Sequence, residues 1–163
     1  RSFGVIVDDR ATIDEAVRIF EADARQSSIG PTEKLIVSPL NSRSRINDYL
    51  VGARRQLLIY DGRLTDPAMM RTLAQRARSG VDIRVIGDMS KRVKDVAVKP
   101  MPTISLHAQA IIRDGESVFL GSQSLRKAEL DYRREVGIIV DDPAVVKHLT
   151  LIFELDWGDI VNS

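Results

Sequence analysis

A hairpin pattern between residues 105 and 121 constrains the fold of this chain more than any other stretch. With the two-residue period of a β-strand, a strand from Ser105 to Arg113 places His107 and Gln109 on one face. Asp114-Gly115 is a strong turn signal between two apolar runs. It predicts a β-hairpin whose second strand covers Ser117 to Leu120.

The segment Gly121-Ser122-Gln123-Ser124 is small and rich in hydroxyl groups, and it follows the second predicted strand. In an antiparallel hairpin, the strand end that carries His107 lies beside the end from which Ser122 and Ser124 follow. The sequence therefore predicts a phosphate pocket at this end of the hairpin, with Ser122 and Ser124 as the phosphate-binding residues.

The spacing of these residues resembles the HKD signature of the phospholipase D superfamily. That signature is His-x-Lys, four residues, Asp, six residues and Gly-Ser-x-Asn. His107, Asp114 and Gly121-Ser122 match it without a gap. Two positions depart from it, because Gln109 stands where the family has Lys and Ser124 where it has Asn.

The resemblance implies a mechanism that uses two histidines. In this superfamily one histidine from each of two homologous halves meets the other at a pseudo-two-fold axis. One attacks phosphorus to form a phosphohistidine, and the other protonates the leaving group. His107 would be the histidine of the second half, more often the acid/base partner, and neither a metal nor another cofactor is implied.

An acidic residue that the family often carries downstream is matched by Glu135. We expect Glu135 to orient His107 through a hydrogen bond; the alternative is a strand-edge charge beside Arg133 and Arg134. Asp114 is commonly structural in the family, where it fixes the turn, and the Asp-Gly signal leads to the same expectation. The candidate catalytic residues are thus His107, Gln109, Asp114 and Glu135.

Gln109 counts against full activity. Lysine places a full charge on the phosphate oxygens, whereas glutamine offers only a neutral N–H dipole, a loss of about 2–4 kcal/mol of transition-state stabilisation. Nearby basic residues could replace this charge, although a solvated surface is the favoured interpretation of both clusters. The clusters are Lys91, Arg92 and Lys94 before the motif, and Arg126-Lys127 after it.

An internal repeat relates the start of the chain to its end, with an offset of 133 positions that places Arg1 on Arg134. The residues identical to their partners in the second copy are Arg1, Gly4, Ile6, Val7, Asp8, Asp9, Ala11, Ile19, Phe20, Glu21 and Asp23. In the resembled superfamily, a strand, an Asp-Asp pair and a helix close each half. We therefore expect 1–25 to close a first half, 26–34 to be a linker and 35–163 to be the second half. The chain starts with Arg rather than Met, which suggests a truncated piece whose first motif lies upstream.

Strand and helix patterns alternate along the rest of the chain. Short apolar runs predict strands at 35–38, 56–60, 81–86 and 135–140, while 88–103 reads as irregular. Helices are predicted after Asn41 or Ser42, after Asp66-Pro67 and after Asp142-Pro143, and in the first copy of the repeat. There the stripe Ile13, Ala16, Val17, Phe20 is expected to be buried. The pattern and the resemblance favour an α/β/α sandwich with a mixed, mostly parallel sheet and helices on both faces.

Composition sets limits on the partners. The 163 residues carry a net charge of +1, so there is no global field for nucleic acid or an anionic membrane, and anion binding must be local. There are no cysteines and two widely separated histidines, which argues against a metal site. No apolar run reaches the length of a membrane span, and no signal peptide is visible. The compartment is not assigned, with a cytoplasmic or membrane-peripheral location expected.

The favoured hypothesis is the C-terminal half of a phospholipase D-like enzyme that cleaves or transfers phosphodiesters, most simply those of phospholipid head groups. Its partner would be the missing N-terminal half or a second copy across a pseudo-two-fold axis, and the chain alone would be weak or inactive. One alternative is a catalytically degenerate scaffold or anion-binding module. Another is a homodimeric nuclease-like phosphodiesterase, with nucleic acid as a less favoured substrate.

Overall fold

The computed structural model describes residues 1–101 and 106–159. Its helices are α1 (Arg10–Ala24), α2 (Ser42–Val51), α3 (Pro67–Arg78), α4 (Lys127–Asp131) and α5 (Pro143–Asp159). Its strands are β1 (Leu35–Val37), β2 (Gln56–Leu64), β3 (Asp82–Met89), β4 (Val96–Lys99), β5 (Gln109–Arg113), β6 (Ser117–Gly121) and β7 (Val136–Val140). They form one sheet in the order β1-β7-β6-β5-β2-β3-β4.

The sheet is mixed, and the predicted α/β class is confirmed. Its proportion of parallel and antiparallel strand pairs differs from the expectation of a mostly parallel sheet. Among the described strands, β2, β3 and β4 are parallel, whereas the neighbours from β2 through β5, β6 and β7 to β1 are antiparallel. The reason is the hairpin: its short connection forces β5 and β6 to be antiparallel, and β7 then returns beside β6.

Helices cover both faces of the sheet, as expected. On one face, α2 and α3 pack on alternate strand residues that include Leu57, Ile59 and Phe119. On the other face, α5 packs on the residues between them, including Leu58 and Tyr60. Since both faces are buried, the central strands are almost wholly apolar, and the result is the three-layer α/β/α sandwich.

Two signals in the sequence act locally as predicted. Asp66 caps α3 by accepting hydrogen bonds from the N–H groups of Ala68 and Met69, both at 3.0 Å. Asp114 and Gly115 have positive φ values of 58° and 68°, as a hairpin turn that matches strand twist requires. Glu116 lengthens the connection by one residue, so that Ser117 pairs with Arg113.

Three local predictions differ from the structure. The stretch predicted to be irregular contains β4, which adds to the sheet edge beside β3. The short helix α4 was not expected. The strand expected before the first helix is not formed by residues 1–9, and β1 occupies the edge of β7 instead. The predicted start of the first hairpin strand at Ser105 lies outside the described residues.

Helix α1 forms where predicted but buries a different face. It packs on β1 through Ile19, while Ile13, Val17 and Phe20 are exposed. The carboxylate of Glu15, which is buried, accepts backbone N–H bonds from residues 33–35 at 2.7–3.2 Å. The helix therefore leaves its predicted core stripe unpartnered among the described residues.

Two ion pairs connect the copies of the repeat crosswise. Arg1 at the start of the first copy pairs with Asp156 near the end of the second. Arg134 at the start of the second copy pairs with Asp23 near the end of the first, at 3.1 Å. The two arginines occupy equivalent repeat positions, as do the two aspartates, so the pairing is reciprocal.

No helix in residues 1–101 and 106–159 is long and apolar enough to cross a lipid bilayer.

Candidate functional site

A cleft of about 400 Å³ lies where β5 begins and β6 ends. It gathers four of the residues predicted for the site, namely Gln109, Ser122, Ser124 and Glu135. The full lining is Gly62, Arg63, Leu106, Gln109, Ser122, Ser124, Arg126, Glu129, Arg133 and Glu135. We call this cleft the hairpin cleft.

His107 is not among the residues that line the hairpin cleft. It is exposed, two residues before β5, and its N–H donates to the carbonyl of Arg1 at 3.0 Å. Its neighbour Leu106 lines the cleft, and so does Gln109, two residues further on. No hydrogen bond joins His107 to Glu135 among the described residues, so Glu135 does not orient the imidazole in this structure.

Asp114 lies at the opposite end of β5, away from the hairpin cleft. Its carboxylate accepts hydrogen bonds from the backbone N–H groups of Arg54, Arg55 and Gln56, the shortest at 2.7 Å. Burial raises the pKa of Asp114, but these donors outweigh it and the pKa is lowered overall. Asp114 thus fastens the hairpin turn to the start of β2 and cannot touch a substrate held in the cleft.

Gly121 is required by close packing at the end of β6. A side chain there would collide with the amide of Gln123 and with the ring of Phe119. Gln123 is buried, and its amide nitrogen donates to the carbonyl of Ile36 at 3.0 Å and to the hydroxyl of Ser42 at 3.1 Å. The glycine therefore leaves room for the side chain of Gln123, which reaches past β7 to bond β1.

The two serines predicted to bind phosphate have different environments. Ser122 is exposed, and its hydroxyl accepts from the N–H of Val136 at 3.2 Å, which leaves its own proton directed to the cleft or to Val136. Ser124 is buried, and its hydroxyl donates to the carboxylate of Asp61 at 2.5 Å. Of the two, Ser122 is the better placed to donate to a ligand.

Asp61 joins the loops that form the floor of the hairpin cleft. Besides Ser124, it accepts from the N–H of Leu125 at 2.6 Å and from the N–H of Arg63 at 3.0 Å. Burial raises the pKa of the Asp61 carboxyl, and the three donors oppose that shift. In the fold, Asp61 holds the end of β2 against the segment after β6.

Three arginines line the hairpin cleft beside Gln109. Arg126 and Arg133 both pair with the buried carboxylate of Glu129, at 3.0 and 3.1 Å. Arg63 follows the central part of β2, and within the described residues its guanidinium has no ion pair. The three arginines and the two carboxylates of the lining, Glu129 and Glu135, leave a net charge of +1 around Gln109, which suits a phosphate.

Sequence reasoning named Arg126 as a substitute cation but missed Arg63 and Arg133 in that role. Arg133 was named only as a neighbour of Glu135, and Arg63 lies in a segment without periodicity. Both reach the cleft because β2 ends and β7 begins at the edge of the sheet where β5 begins and β6 ends. Within the described ranges, no group of three or more His, Cys, Asp or Glu side chains could hold a metal ion.

Residues 92–157 match the family model described as "Cardiolipin synthase, PLD-like domain". This stretch contains His107, Gln109, Asp114 and Glu135. No curated protein sequence is a significant match to the chain.

Three solved structures share the fold. Nuc from Salmonella typhimurium, described as a phospholipase D family member, superposes with a TM-score of 0.69 at 17% identity, over 79% of this chain and 95% of Nuc. NucT from Helicobacter pylori gives 0.66 at 19% identity, over 76% of this chain and 94% of NucT. Polyphosphate kinase from Porphyromonas gingivalis gives 0.74 at 17% identity, over 92% of this chain but 26% of the kinase. The HKD-like stretch thus lies inside the matched PLD-like domain model, and the chain shares the fold of Nuc and NucT.

Proposed function

We propose that this chain supplies one half of a phospholipase D-like site that cleaves or transfers phosphodiesters. The observation that carries the proposal is the hairpin cleft. It gathers Gln109, Ser122 and Glu135 next to the segment of His107, and it surrounds them with three guanidinium groups. A cleft lined by arginines, next to the segment that carries a histidine, combines phosphate binding with a group that can accept or donate a proton near neutral pH.

The proposed reaction has two displacements at phosphorus. One histidine forms an N–P bond as the P–O bond to the leaving alcohol breaks, and the second histidine donates its proton to that alcohol. Water or a second alcohol, deprotonated by the second histidine, then attacks phosphorus and breaks the N–P bond. Water gives hydrolysis and an alcohol gives transfer. His107 takes one of these two roles, and the acid/base role is the one we assign to it.

The arginines supply the positive charge that the lysine of the family signature would provide at position 109. A charge-assisted hydrogen bond from a guanidinium supplies the positive charge that a glutamine amide lacks. Arg63 is the best placed to do so, since no carboxylate neutralises it among the described residues. In this proposal Gln109 orients one phosphate oxygen while Arg63 and Arg126 carry the charge.

The second histidine must come from outside the hairpin cleft. Helix α1 supports the division in which 1–25 closes a first half, 26–34 is a linker and 35–163 is the second half. Its exposed stripe of Ile13, Ala16, Val17 and Phe20 is equivalent in the repeat to the stripe with which α5 covers the sheet. We propose that an upstream half packs on this stripe, with a second copy of the chain as the alternative.

The reaction can be tested with the parent protein and a chromogenic bis-aryl phosphodiester. We expect His107→Ala to lower the rate by at least about 100-fold, the usual range for a positioned acid or base. His148→Ala is the matched control, because His148 is the other histidine, exposed on α5, and its rate should equal that of the wild type.

Two outcomes would contradict the proposal. If His107→Ala cleaves as fast as His148→Ala, or if neither protein nor the wild type is active, the degenerate scaffold or anion-binding module becomes the better description. In an active parent, Arg63→Gln should lower the rate further than Gln109→Ala does, because it removes a charge. Comparing a phospholipid with an oligonucleotide under the same conditions tests the expectation of a phospholipid head group.

A further inference from the structure

A buried carboxylate forms part of the wall of the hairpin cleft, and the proposed reaction gives it no role. Glu129 lies on α4 and is only 3% exposed. Its Oε2 accepts from Nε of Arg126 at 3.0 Å, and its Oε1 accepts from Nη2 of Arg126 and from Nη1 of Arg133, the latter at 3.1 Å. We call these three residues the arginine clamp. Both oxygens of Glu129 are occupied by arginine, so the carboxylate reaches a substrate through the two guanidinium groups rather than directly.

The arginine clamp leaves N–H donors for a ligand. Within residues 1–101 and 106–159, the hydrogen bonds of the two guanidinium groups all go to Glu129. Nη1 of Arg126 and both Nε and Nη2 of Arg133 are thus left for another acceptor, and both arginines line the cleft beside Gln109. A guanidinium held along one edge presents its remaining donors in a fixed direction, so less side-chain freedom is lost when an anion binds.

Helix α4 holds the carboxylate itself in place. Leu130, the next residue, is fully buried in the core that α2 and α3 cover. The carboxylate of Asp131 accepts from Nε and Nη2 of Arg43 on α2, at 2.6 and 2.7 Å. The helix is therefore fixed on both sides of Glu129, which makes this carboxylate a rigid support for the two arginines.

Neither phosphate binding nor stability explains an acid at this position. A carboxylate in the lining weakens the attraction between the cleft and a phosphate. Buried ion pairs contribute little net stability, and Leu130 and Asp131 already hold α4. Burial raises the pKa of Glu129, but the hydrogen bonds from Arg126 outweigh it and the pKa is lowered overall, so the group is ionised at neutral pH. What the charge supplies is control over the direction of the guanidinium groups.

We propose that Glu129 is a positioning residue, which directs Arg126 and Arg133 at the non-bridging oxygens of the reacting phosphodiester. The inference rests on the proposed function of the hairpin cleft and deepens it by adding a residue that acts through others. Donors that are already aimed at the phosphoryl oxygens stabilise the transition state without reorganising during the reaction. Loss of Glu129 should therefore slow the chemical step more than it weakens substrate binding.

The kinetic test uses the parent protein and the chromogenic diester. Glu129→Gln removes the charge and keeps the shape. Asp131→Asn is the matched control, because Asp131 also bonds an arginine from α4 but does not line the cleft. We expect Glu129→Gln to lower kcat by about tenfold with a KM no higher than that of the wild type, since one acid fewer favours the anion while the arginines lose their support. Asp131→Asn should keep both values within about twofold.

A second variant, Glu129→Asp, separates position from charge. It keeps the acid but withdraws it from the guanidinium groups by one methylene, and it replaces Glu129→Gln throughout if that variant does not fold. We expect kcat to fall by about threefold or more, because the arginines are again misdirected. A wild-type kcat in Glu129→Asp would assign the effect to charge alone and overturn the inference.

A binding cycle tests the same inference without any reaction. Isothermal titration of the parent protein with inorganic phosphate gives the factor by which Arg126→Gln weakens binding in the wild type and in the Glu129→Gln and Asp131→Asn backgrounds. We expect about tenfold in the wild type and in Asp131→Asn, and about threefold or less in Glu129→Gln, because an unsupported arginine contributes less. Charges that act independently would give the same factor in every background.

The outcomes separate this inference from the proposed function. If the wild-type parent does not cleave the diester but the cycle shows coupling, the proposed function is wrong and the arginine clamp remains a phosphate-binding device. An active parent in which Glu129→Gln cleaves as fast as Asp131→Asn would overturn the clamp and leave the proposed function standing. Equal factors in the cycle would overturn the clamp as well, and so would a wild type that does not bind phosphate.

Discussion

Helices α1 and α5 are copies of one sequence unit in two environments. Each follows an Asp-Asp pair, and in each the second aspartate caps the helix: Asp9 accepts from the N–H of Thr12 at 2.9 Å, and Asp142 from that of Ala144 at 2.9 Å. Phe20 is 74% exposed, while its repeat partner Phe153 is fully buried against Tyr60. The same local sequence thus makes the same helix, and the neighbouring sheet alone decides which face becomes core.

The buried faces of the two helices differ in chemistry as well as in direction. Helix α5 buries an apolar stripe on the sheet, as amphipathic periodicity predicts. Helix α1 instead buries the carboxylate of Glu15, which serves as an acceptor for the backbone entering β1. Helix α1 is thus attached to this domain by hydrogen bonds and a few apolar contacts, while its main apolar stripe is exposed within the described residues.

The largest expected difference in stability is between substitutions of the two phenylalanines. Phe153→Ala should lower the free energy of unfolding by about 3–5 kcal/mol, because it leaves a cavity in the core under α5. Phe20→Ala in the same chain should change it by less than about 0.5 kcal/mol, as for an exposed side chain. Urea denaturation of both variants measures the difference. Equal losses would mean that the stripe of α1 is already covered by this chain.

A smaller effect should separate the two aspartates of the crosswise ion pairs. Asp156 is buried and accepts from the hydroxyl of Tyr60 at 2.6 Å as well as from Arg1. We expect Asp156→Asn to cost about 1–3 kcal/mol, since it weakens buried charge-assisted bonds. Asp23→Asn removes an exposed pair with Arg134 and should cost less than about 1 kcal/mol. Thermal unfolding of the two variants at one pH is the measurement, and a reversed order would contradict the assignment.

The smallest expected difference in stability is between substitutions of Glu15 and of its repeat partner His148. This difference should depend on pH. Burial raises the pKa of Glu15, but the N–H donors of residues 33–35 outweigh it, so the pKa is lowered overall. Because the pKa is lower in the folded state, the ionised carboxylate stabilises the fold at pH values above the pKa of the unfolded state, about 4.3. This contribution is lost as the pH falls through the pKa of the folded state.

Glu15→Gln should therefore be less stable than the wild type by about 1 kcal/mol at pH 7 and by less in acid. His148→Gln, at an exposed position, should follow the wild type at both pH values. Urea midpoints at pH 7 and pH 3.5 measure the change. A Glu15→Gln deficit that stays constant between the two would exclude the ionised carboxylate as its source.

Much of the fold could be predicted because its signals are local. The Asp-Gly turn, the cap at Asp66 and the apolar runs each depend on neighbouring residues, and the corresponding elements formed. The face of α1 could not be predicted, because periodicity shows that a stripe is apolar but not which surface covers it. Strand β4 was missed since a short edge strand of four residues has little pattern of its own.

The candidate site was predictable only for the residues that belong to the HKD-like motif or follow it closely in the sequence. Gln109, Ser122 and Glu135 lie in one cleft because the hairpin and the following strand bring their ends together. Arg63 and Asp61 come from β2, and their approach depends on the order of strands in the sheet rather than on any spacing in the sequence. Residues that a crossover brings to a site carry no local signal.

The hairpin is anchored at both ends, by Asp114 at one and by Gln123 and Asp61 at the other. This anchoring has a consequence for the evolution of the site. These groups hold the backbone with bonds that do not involve the side chains of Gln109 or Arg63. A substitution at either lining position therefore leaves the scaffold intact, so selection on chemistry can act there without selection on folding. The hairpin cleft is free to exchange one phosphate-binding group for another between related proteins, and glutamine at position 109 is the kind of change that such freedom permits.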